Sequence, residues 1–169
     1  PPLVIVLLLS GLFAFLGFLS IADRQAVDAQ KWITGFILLL GLQVIVLLLL
    51  GSAQAANVVA ATRESGMIDF HRISPQSPAA LAAGFILGGP VREYLLFAAT
   101  LPCYAVLLVM IPGELLERGA DAGLLWLLPV LFLTLALVYH TLGVAAGLTV
   151  SGKKYSNAGS FALLIIIGM

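Results

Sequence analysis

The chain has 169 residues, of which 62% are apolar and 9% charged, and its net charge is zero. Soluble domains carry roughly 25% charged residues, so this composition excludes an ordinary soluble globule, and the mean hydropathy of +1.14 indicates an integral membrane protein. Zero net charge gives no general attraction for nucleic acid, and a single cysteine, Cys103, excludes an internal disulfide.

The apolar segments can be compared with the bilayer core, which is about 30 Å thick and is crossed by about 20 helical residues. Residues 3–21 and 33–51 are two uncharged apolar runs of sufficient length. Residues 94–111 and 124–150 predict a third and a fourth span, and residues 161–169 predict the start of a truncated fifth. The predicted fold class is therefore all-α, a single polytopic transmembrane helical bundle with four complete spans plus the start of a fifth.

The segments that flank these spans carry local signals. Trp32 precedes the second span, where an interfacial aromatic anchor is expected. Residues 79–89 predict an interfacial helix that ends at a Gly-Gly-Pro break. Arg92 and Glu93 follow this break. Because neighbouring residues of a helix do not face each other, we expect these two to pair with other segments or to stay in the interface.

The distribution of Lys and Arg predicts the orientation in the membrane. The loops after spans two and four hold five of them: Arg63, Arg72, Arg92, Lys153 and Lys154. The loops after spans one and three hold three: Arg24, Lys31 and Arg118. Positive residues favour the cytoplasmic side, so we expect the amino end and loops 52–80 and 151–160 to be cytoplasmic, in the inner (plasma) membrane of the cell.

The most polar stretch of the chain is TRESGMIDFHRISPQSP, residues 62–78, which we call the polar segment. Thr62 or Ser65 can cap a short helix in which Phe70 lies on an apolar side beside charged residues. Two Ser-Pro pairs then end the helix, because a residue before proline is restricted to extended geometry. Two interpretations remain open, a solvated loop with an interfacial helix and a docking surface for a soluble partner.

The polar segment and the chain just after it also carry a recognisable residue order. Its positions are Arg63, Glu64, Gly66, Asp69, Arg72, Ser74, Pro75, Ser77, Pro78 and Gly84. This order resembles the cytoplasmic segment of permeases of the ABC-2 type, which typically reads Arg-Glu-x-Gly-Thr-Leu-Glu/Asp, then Thr/Ser-Pro-x-Ser/Pro, then Gly-Lys. Met67 and Phe85 depart from the usual threonine and lysine. The stretch NAGSFALLIII is also similar to the turn between the fourth and fifth helices of that family.

The resemblance implies a function and partners. In that family this segment is the coupling helix that contacts the ATPase, so the chain would be the permease subunit of an ATP-driven ABC exporter. Its implied partners are a cytoplasmic ATPase subunit, a second permease or a second copy of itself, and the lipid bilayer. The implied partner-binding (coupling) residues are Arg63, Glu64, Gly66, Asp69, Phe70, Arg72, Ser74, Pro75 and Pro78.

No nucleotide-binding or catalytic motif is present in the sequence, so we expect neither enzyme activity nor a cofactor in this chain, and any ATP hydrolysis would occur in a partner. The alternative function is a non-transporting structural or accessory subunit of a larger membrane complex. A third hypothesis is an intramembrane enzyme or proton channel centred on His140.

His140 lies in the fourth predicted span, roughly 15 Å from its cytoplasmic end. An ionisable group at this depth indicates a proton relay or a substrate contact, and the alternative is a neutral imidazole hydrogen-bonded to a neighbouring helix. A metal would need a second ligand at the same depth, and His71 lies in the polar segment, so no metal site is predicted. Gly143 and Gly147 have the GxxxG spacing that favours close helix packing.

Overall fold

A computed structural model describes residues 29–73 and 77–149. In these ranges nearly every residue is helical and no strand is present. Three helices are long and apolar enough to cross a membrane: α1 (Ala29–Glu64), α4 (Val91–Val109) and α6 (Ala122–Thr149). Three shorter helices connect them: α2 (Met67–Ile73), α3 (Pro78–Gly88) and α5 (Gly113–Glu117). The predicted all-α class is confirmed for the described residues.

The expected spans over 3–21 and 161–169 lie outside the described residues. The other three expected spans, 33–51, 94–111 and 124–150, overlap with α1, α4 and α6, and differ from α4 and α6 by one to three residues at each end. The largest difference in bounds is in α1, which does not end near Gly51 but continues to Glu64. The added residues are rich in alanine and contain no proline, so helix propensity carries the helix beyond the apolar run.

A left-handed glycine separates α1 from α2. The N–H of Ser65 donates to the carbonyl of Ala61 at 3.0 Å, and the N–H of Gly66 donates to that of Arg63 at 3.1 Å. Gly66 has a φ of 74°, a conformation that glycine adopts at little cost and other residues rarely adopt. The N–H of Asp69 then donates back to the Gly66 carbonyl at 3.1 Å. Gly66 is therefore required by the backbone turn itself.

The described residues fall into two compact units. The first unit contains residues 29–44 and 95–131, and the second contains residues 45–94 and 132–149. Because the division passes through α1, α4 and α6, each long helix contributes to both units.

An aromatic cluster forms the core of the first unit. The ring centroids of Trp32 and Phe36 are 4.8 Å apart in a stacked arrangement, and those of Phe36 and Tyr104 are 5.5 Å apart. Trp32 is only 7% exposed, and its indole Nε1 donates to the carbonyl of Leu107 at 2.9 Å. The prediction of an interfacial anchor at Trp32 is therefore wrong, because the indole N–H has its acceptor inside the protein.

The first unit also contains a buried polar pair between α1 and α4. The amide Nε2 of Gln43 donates to Thr100 Oγ1 at 2.8 Å, and this hydroxyl donates to the carbonyl of Phe97 at 2.7 Å. Both polar side chains are buried. Hydrogen bonds of this kind connect helices in lipid, where water cannot satisfy the same groups.

In the second unit, glycines bring the backbones of α1 and α6 into direct contact. A Cβ atom at Gly143 would lie 2.3 Å from the carbonyl oxygen of Ser52, and one at Gly147 would lie 2.5 Å from that of Ala56. Atoms at such distances overlap, so only glycine permits this approach. The close packing predicted from the GxxxG spacing is confirmed.

Replacing Gly143 with alanine tests this contact. Gly143→Ala would push the added methyl group into a backbone carbonyl that moves only if α1 moves, and we expect it to lower the free energy of unfolding by about 1–3 kcal/mol. The measurement is reversible denaturation in mixed detergent micelles.

The matched control is Gly41→Ala in α1, where an added Cβ would meet nothing within 4 Å. Because alanine is the better helix former, this variant should be unchanged or more stable by about 0.5–1 kcal/mol. Equal stability of the two variants would contradict the direct contact between α1 and α6.

Candidate functional site

His140 in α6 is fully buried and hydrogen-bonded through both ring nitrogens. Its Nε2 lies 2.9 Å from the carbonyl oxygen of Leu47, and its Nδ1 lies 2.8 Å from the hydroxyl of Tyr94. A carbonyl only accepts, so Nε2 carries a hydrogen, and in the neutral ring Nδ1 accepts from the Tyr94 hydroxyl. Of the two interpretations from the sequence, a neutral imidazole bound to neighbouring helices accounts for both contacts.

The local structure of α1 makes room for this imidazole. Leu47 lies in a π-helical turn, Val44–Leu50, where the register of N–H to carbonyl pairing changes and a neighbouring side chain can reach the backbone. Gly51 follows directly, and a Cβ atom there would lie 2.3 Å from Nε2 of His140. A π-helical turn followed by glycine therefore opens the surface of α1 to His140.

Tyr94 connects the histidine to the segment before α4. Its ring and the imidazole meet edge to face, with centroids 5.3 Å apart and an interplanar angle of 72°. The Tyr94 hydroxyl also lies 3.4 Å from the carbonyl of Ile86, a long contact, in the second π-helical turn, Gly84–Gly88. The phenol thus has two acceptors within reach, one strong and one weak.

Glu93 is completely buried beside Tyr94. Its Oε1 accepts from Nε of Arg92 at 3.1 Å and from Nη2 at 2.8 Å, while its Oε2 is buried with no hydrogen-bond partner in the described part of the chain. The prediction that Arg92 and Glu93 do not face each other is wrong. The long Arg92 side chain, still 40% exposed, folds back onto its neighbour. We call Arg92, Glu93, Tyr94 and His140 the His140 cluster.

The His140 cluster combines a fully buried imidazole, the half-buried phenol that contacts it, and the buried carboxylate that precedes this phenol in the sequence. In residues 29–73 and 77–149, no three His, Cys, Asp or Glu side chains form a group that could hold a metal ion. The chemistry this cluster offers is the uptake and release of a proton.

The polar segment forms the second candidate site. Its described coupling residues lie at the end of α1 (Arg63, Glu64), in the turn (Gly66), in α2 (Asp69, Phe70, Arg72) and at the start of α3 (Pro78). Ser74 and Pro75 lie outside the described residues. The Ser77 hydroxyl accepts from the N–H of Ala80 at 3.2 Å and caps α3, with proline in the favoured first position.

One face of α2 is apolar and exposed. Met67, Phe70 and Ile73 are 54%, 65% and 82% exposed. They are spaced three residues apart, so they lie on one side of the helix. Asp69 and Glu64 are exposed nearby in the sequence, which places charge beside an apolar face. Such a face has the composition of a small protein-docking surface, with apolar anchors and a charged rim.

Arg63 connects the polar segment to α6. Its Nη1 donates to the carbonyl of Leu148, in the last turn of α6. The last four carbonyls of a helix lack intrahelical partners, so Arg63 caps this end. The family resemblance implied that Arg63 binds a partner, a role that stays a prediction, and the structure gives its guanidinium a contact within the chain.

Sequence analysis missed Tyr94 and the burial of Glu93. Glu93 did carry a usable signal, since a carboxylate at the start of an apolar helix is a functional candidate by default. Tyr94 had none, because its contact with His140 joins residues 46 positions apart.

Comparison of the chain with protein-family models, curated proteins and solved structures finds no match.

Replacing Tyr94 with phenylalanine tests the geometry of the His140 cluster. Tyr94→Phe keeps the ring but removes the hydroxyl, which leaves the buried Nδ1 of His140 without its donor. We expect a loss of about 1 kcal/mol in the free energy of unfolding, measured in mixed micelles. Tyr139→Phe is the control, because the structure gives the neighbouring Tyr139 hydroxyl no hydrogen bond in the described ranges. Equal losses in both variants would contradict the contact.

Proposed function

We propose that this chain is the permease subunit of an ATP-driven exporter of the ABC-2 type, driven by a separate cytoplasmic ATPase. The observation that carries the proposal is α2, a short helix with an exposed apolar face, joined to the membrane-length helix α1 by one glycine turn. The residue order of the polar segment, which resembles the coupling segment of that family, supports the same function.

The apolar face of α2 is the proposed contact with the ATPase. Phe70 is the central anchor, since burying an aromatic side chain contributes about 1.5–3 kcal/mol to association. Glu64 and Asp69 are exposed and belong to the charged rim, where they govern partner choice and association rate more than affinity. This arrangement fits a groove with an apolar floor and basic edges.

Motion of α2 would reach the membrane through α1 and α6. Arg63 caps the end of α6, and Gly143 and Gly147 hold α6 against the α1 backbone. Packed backbones do not deform continuously, so the two helices would move together when the ATPase shifts the polar segment. A second permease or a second copy of this chain would complete the transport path in the inner (plasma) membrane.

The alternative, a non-transporting subunit of a larger membrane complex, has one observation in its favour. Two pairs of polar side chains on the described long helices bond to each other within the protein, Gln43 with Thr100 and Tyr94 with His140. Side chains paired in this way stabilise a bundle and do not by themselves form a polar path. ATP-dependent transport by the reconstituted complex separates the two functions.

An acidic substitution in the apolar face of α2 tests the ATPase contact. Phe70→Asp replaces the central anchor with a charge, and we expect the amount of ATPase recovered with the purified permease to fall at least about tenfold. ATP-driven transport in proteoliposomes should fall in parallel.

The control is Leu116→Asp in α5. Like Phe70→Asp, it replaces an exposed apolar side chain of a short helix with an acid. It lies in the loop expected on the opposite side of the membrane, so ATPase recovery should not change. Recovery of undiminished ATPase with Phe70→Asp would overturn the proposed docking surface, and recovery of no ATPase with the unmodified chain would favour the alternative function.

Site-specific labelling tests the proposed orientation. In a Cys103→Ser background the given chain has no cysteine, so Phe70→Cys and Leu116→Cys each introduce a single reporter. An impermeant thiol reagent added to intact cells should label residue 116 and leave residue 70 unlabelled until the membrane is opened. Labelling of residue 70 from outside would place the polar segment in the wrong compartment for a cytoplasmic ATPase.

A further inference from the structure

We infer that the His140 cluster is a proton-binding site within the membrane-spanning part of the protein, with His140 as the proton acceptor and Glu93 as its counter-charge. This inference goes beyond the proposed function and does not depend on the ATPase. It rests on a hydrogen-bond arrangement that is complete in two protonation states of one buried ring.

In the neutral state, Nε2–H of His140 donates to the Leu47 carbonyl and the Tyr94 hydroxyl donates to Nδ1. When a proton from hydronium forms a bond to Nδ1, water is released and Nδ1–H becomes a donor to the Tyr94 oxygen. The Tyr94 hydroxyl keeps its own proton and turns it towards the carbonyl of Ile86, which lies 3.4 Å away. No donor loses its acceptor, and the Nε2 contact does not change.

The positive charge has a negative partner nearby. Glu93 is fully buried and directly precedes Tyr94 in α4, and its Oε2 has no hydrogen-bond partner among the described groups. Its other oxygen accepts from Arg92, which is partly exposed. A buried carboxylate beside an imidazole favours the charged ring, because opposite charges attract strongly away from water.

The charged side chains of the His140 cluster, Arg92 and Glu93, both come from α4, and the groups from the other described elements are uncharged. From α1, the Leu47 carbonyl and Gly51 face the ring, and the segment before α4 presents the Ile86 carbonyl. From α4, the cluster receives Arg92, Glu93 and Tyr94. Tyr94 is half-buried and meets the enclosed imidazole edge to face.

Nitrogen-15 NMR of histidine-labelled full chain in lipid nanodiscs tests the inference, because the imidazole nitrogen shifts distinguish both neutral tautomers from the imidazolium. The given sequence has two histidines, so His71→Gln leaves His140 as the one labelled ring. Between about pH 8 and about pH 5, the range in which histidine titrates, we expect conversion from the Nε2–H tautomer to the imidazolium. A ring that stays neutral over this range in folded protein would overturn the inference.

Variants at Glu93 then test the counter-charge. Glu93→Gln should lower the ratio of imidazolium to neutral ring at fixed pH by at least about tenfold. Glu93→Asp keeps the carboxylate and should retain most of the imidazolium, and Glu117→Gln, an exposed acid in α5, should have no effect. If Glu93→Gln does not fold, titration of the unmodified chain still tests whether His140 binds a proton, and titration of Glu93→Asp still tests whether a carboxylate at position 93 supports it. An unchanged ratio in folded Glu93→Gln, or loss of the imidazolium in folded Glu93→Asp, would refute the role of Glu93.

Discussion

Direct backbone contact between α1 and α6 is the constraint on which the second unit depends. Lipid is as apolar as a leucine side chain, so apolar burial alone does not hold membrane helices together, and close packing through small residues takes its place. Gly143 and Gly147 permit that packing along α6, and Gly51 on α1 leaves room for the His140 ring. The same approach brings His140 to the Leu47 carbonyl, so the cluster exists because the two backbones touch.

Polar side chains of the long apolar helices also join neighbouring helices within each unit. In the first unit Trp32 donates to the Leu107 carbonyl and Gln43 donates to Thr100, each joining α1 to α4. In the second unit His140 accepts and donates across helices. A polar group without a partner in lipid costs several kcal/mol. These few contacts therefore specify which helix faces meet, where apolar side chains alone would permit many rotations about each helix axis.

The sequence predicted local features of the fold better than contacts between residues that are far apart in the chain. Run length predicted the long helices and GxxxG spacing predicted the contact at Gly143, because both are local patterns. The predicted second span ends at residue 51, but α1 continues to Glu64. Hydropathy measures only the length of the apolar run, whereas helix propensity determines how far the helix continues beyond it. Trp32 was assigned to the interface, and Arg92 was expected to avoid Glu93. These errors concern partners that only the tertiary arrangement or a flexible side chain supplies.

The length of α1 has a mechanical consequence. Its 36 residues extend about 54 Å at 1.5 Å per residue, whereas the hydrocarbon core is about 30 Å thick. About 24 Å of helix therefore exceeds the thickness of that core, and residues 51–64, all in the second unit, form the part that leads to α2. If all of the excess lay on the α2 side, a tilt of about 10° at the membrane surface would carry its end sideways by about 4 Å. A small tilt of the segment in the lipid would then appear as a larger displacement at the end that bears α2.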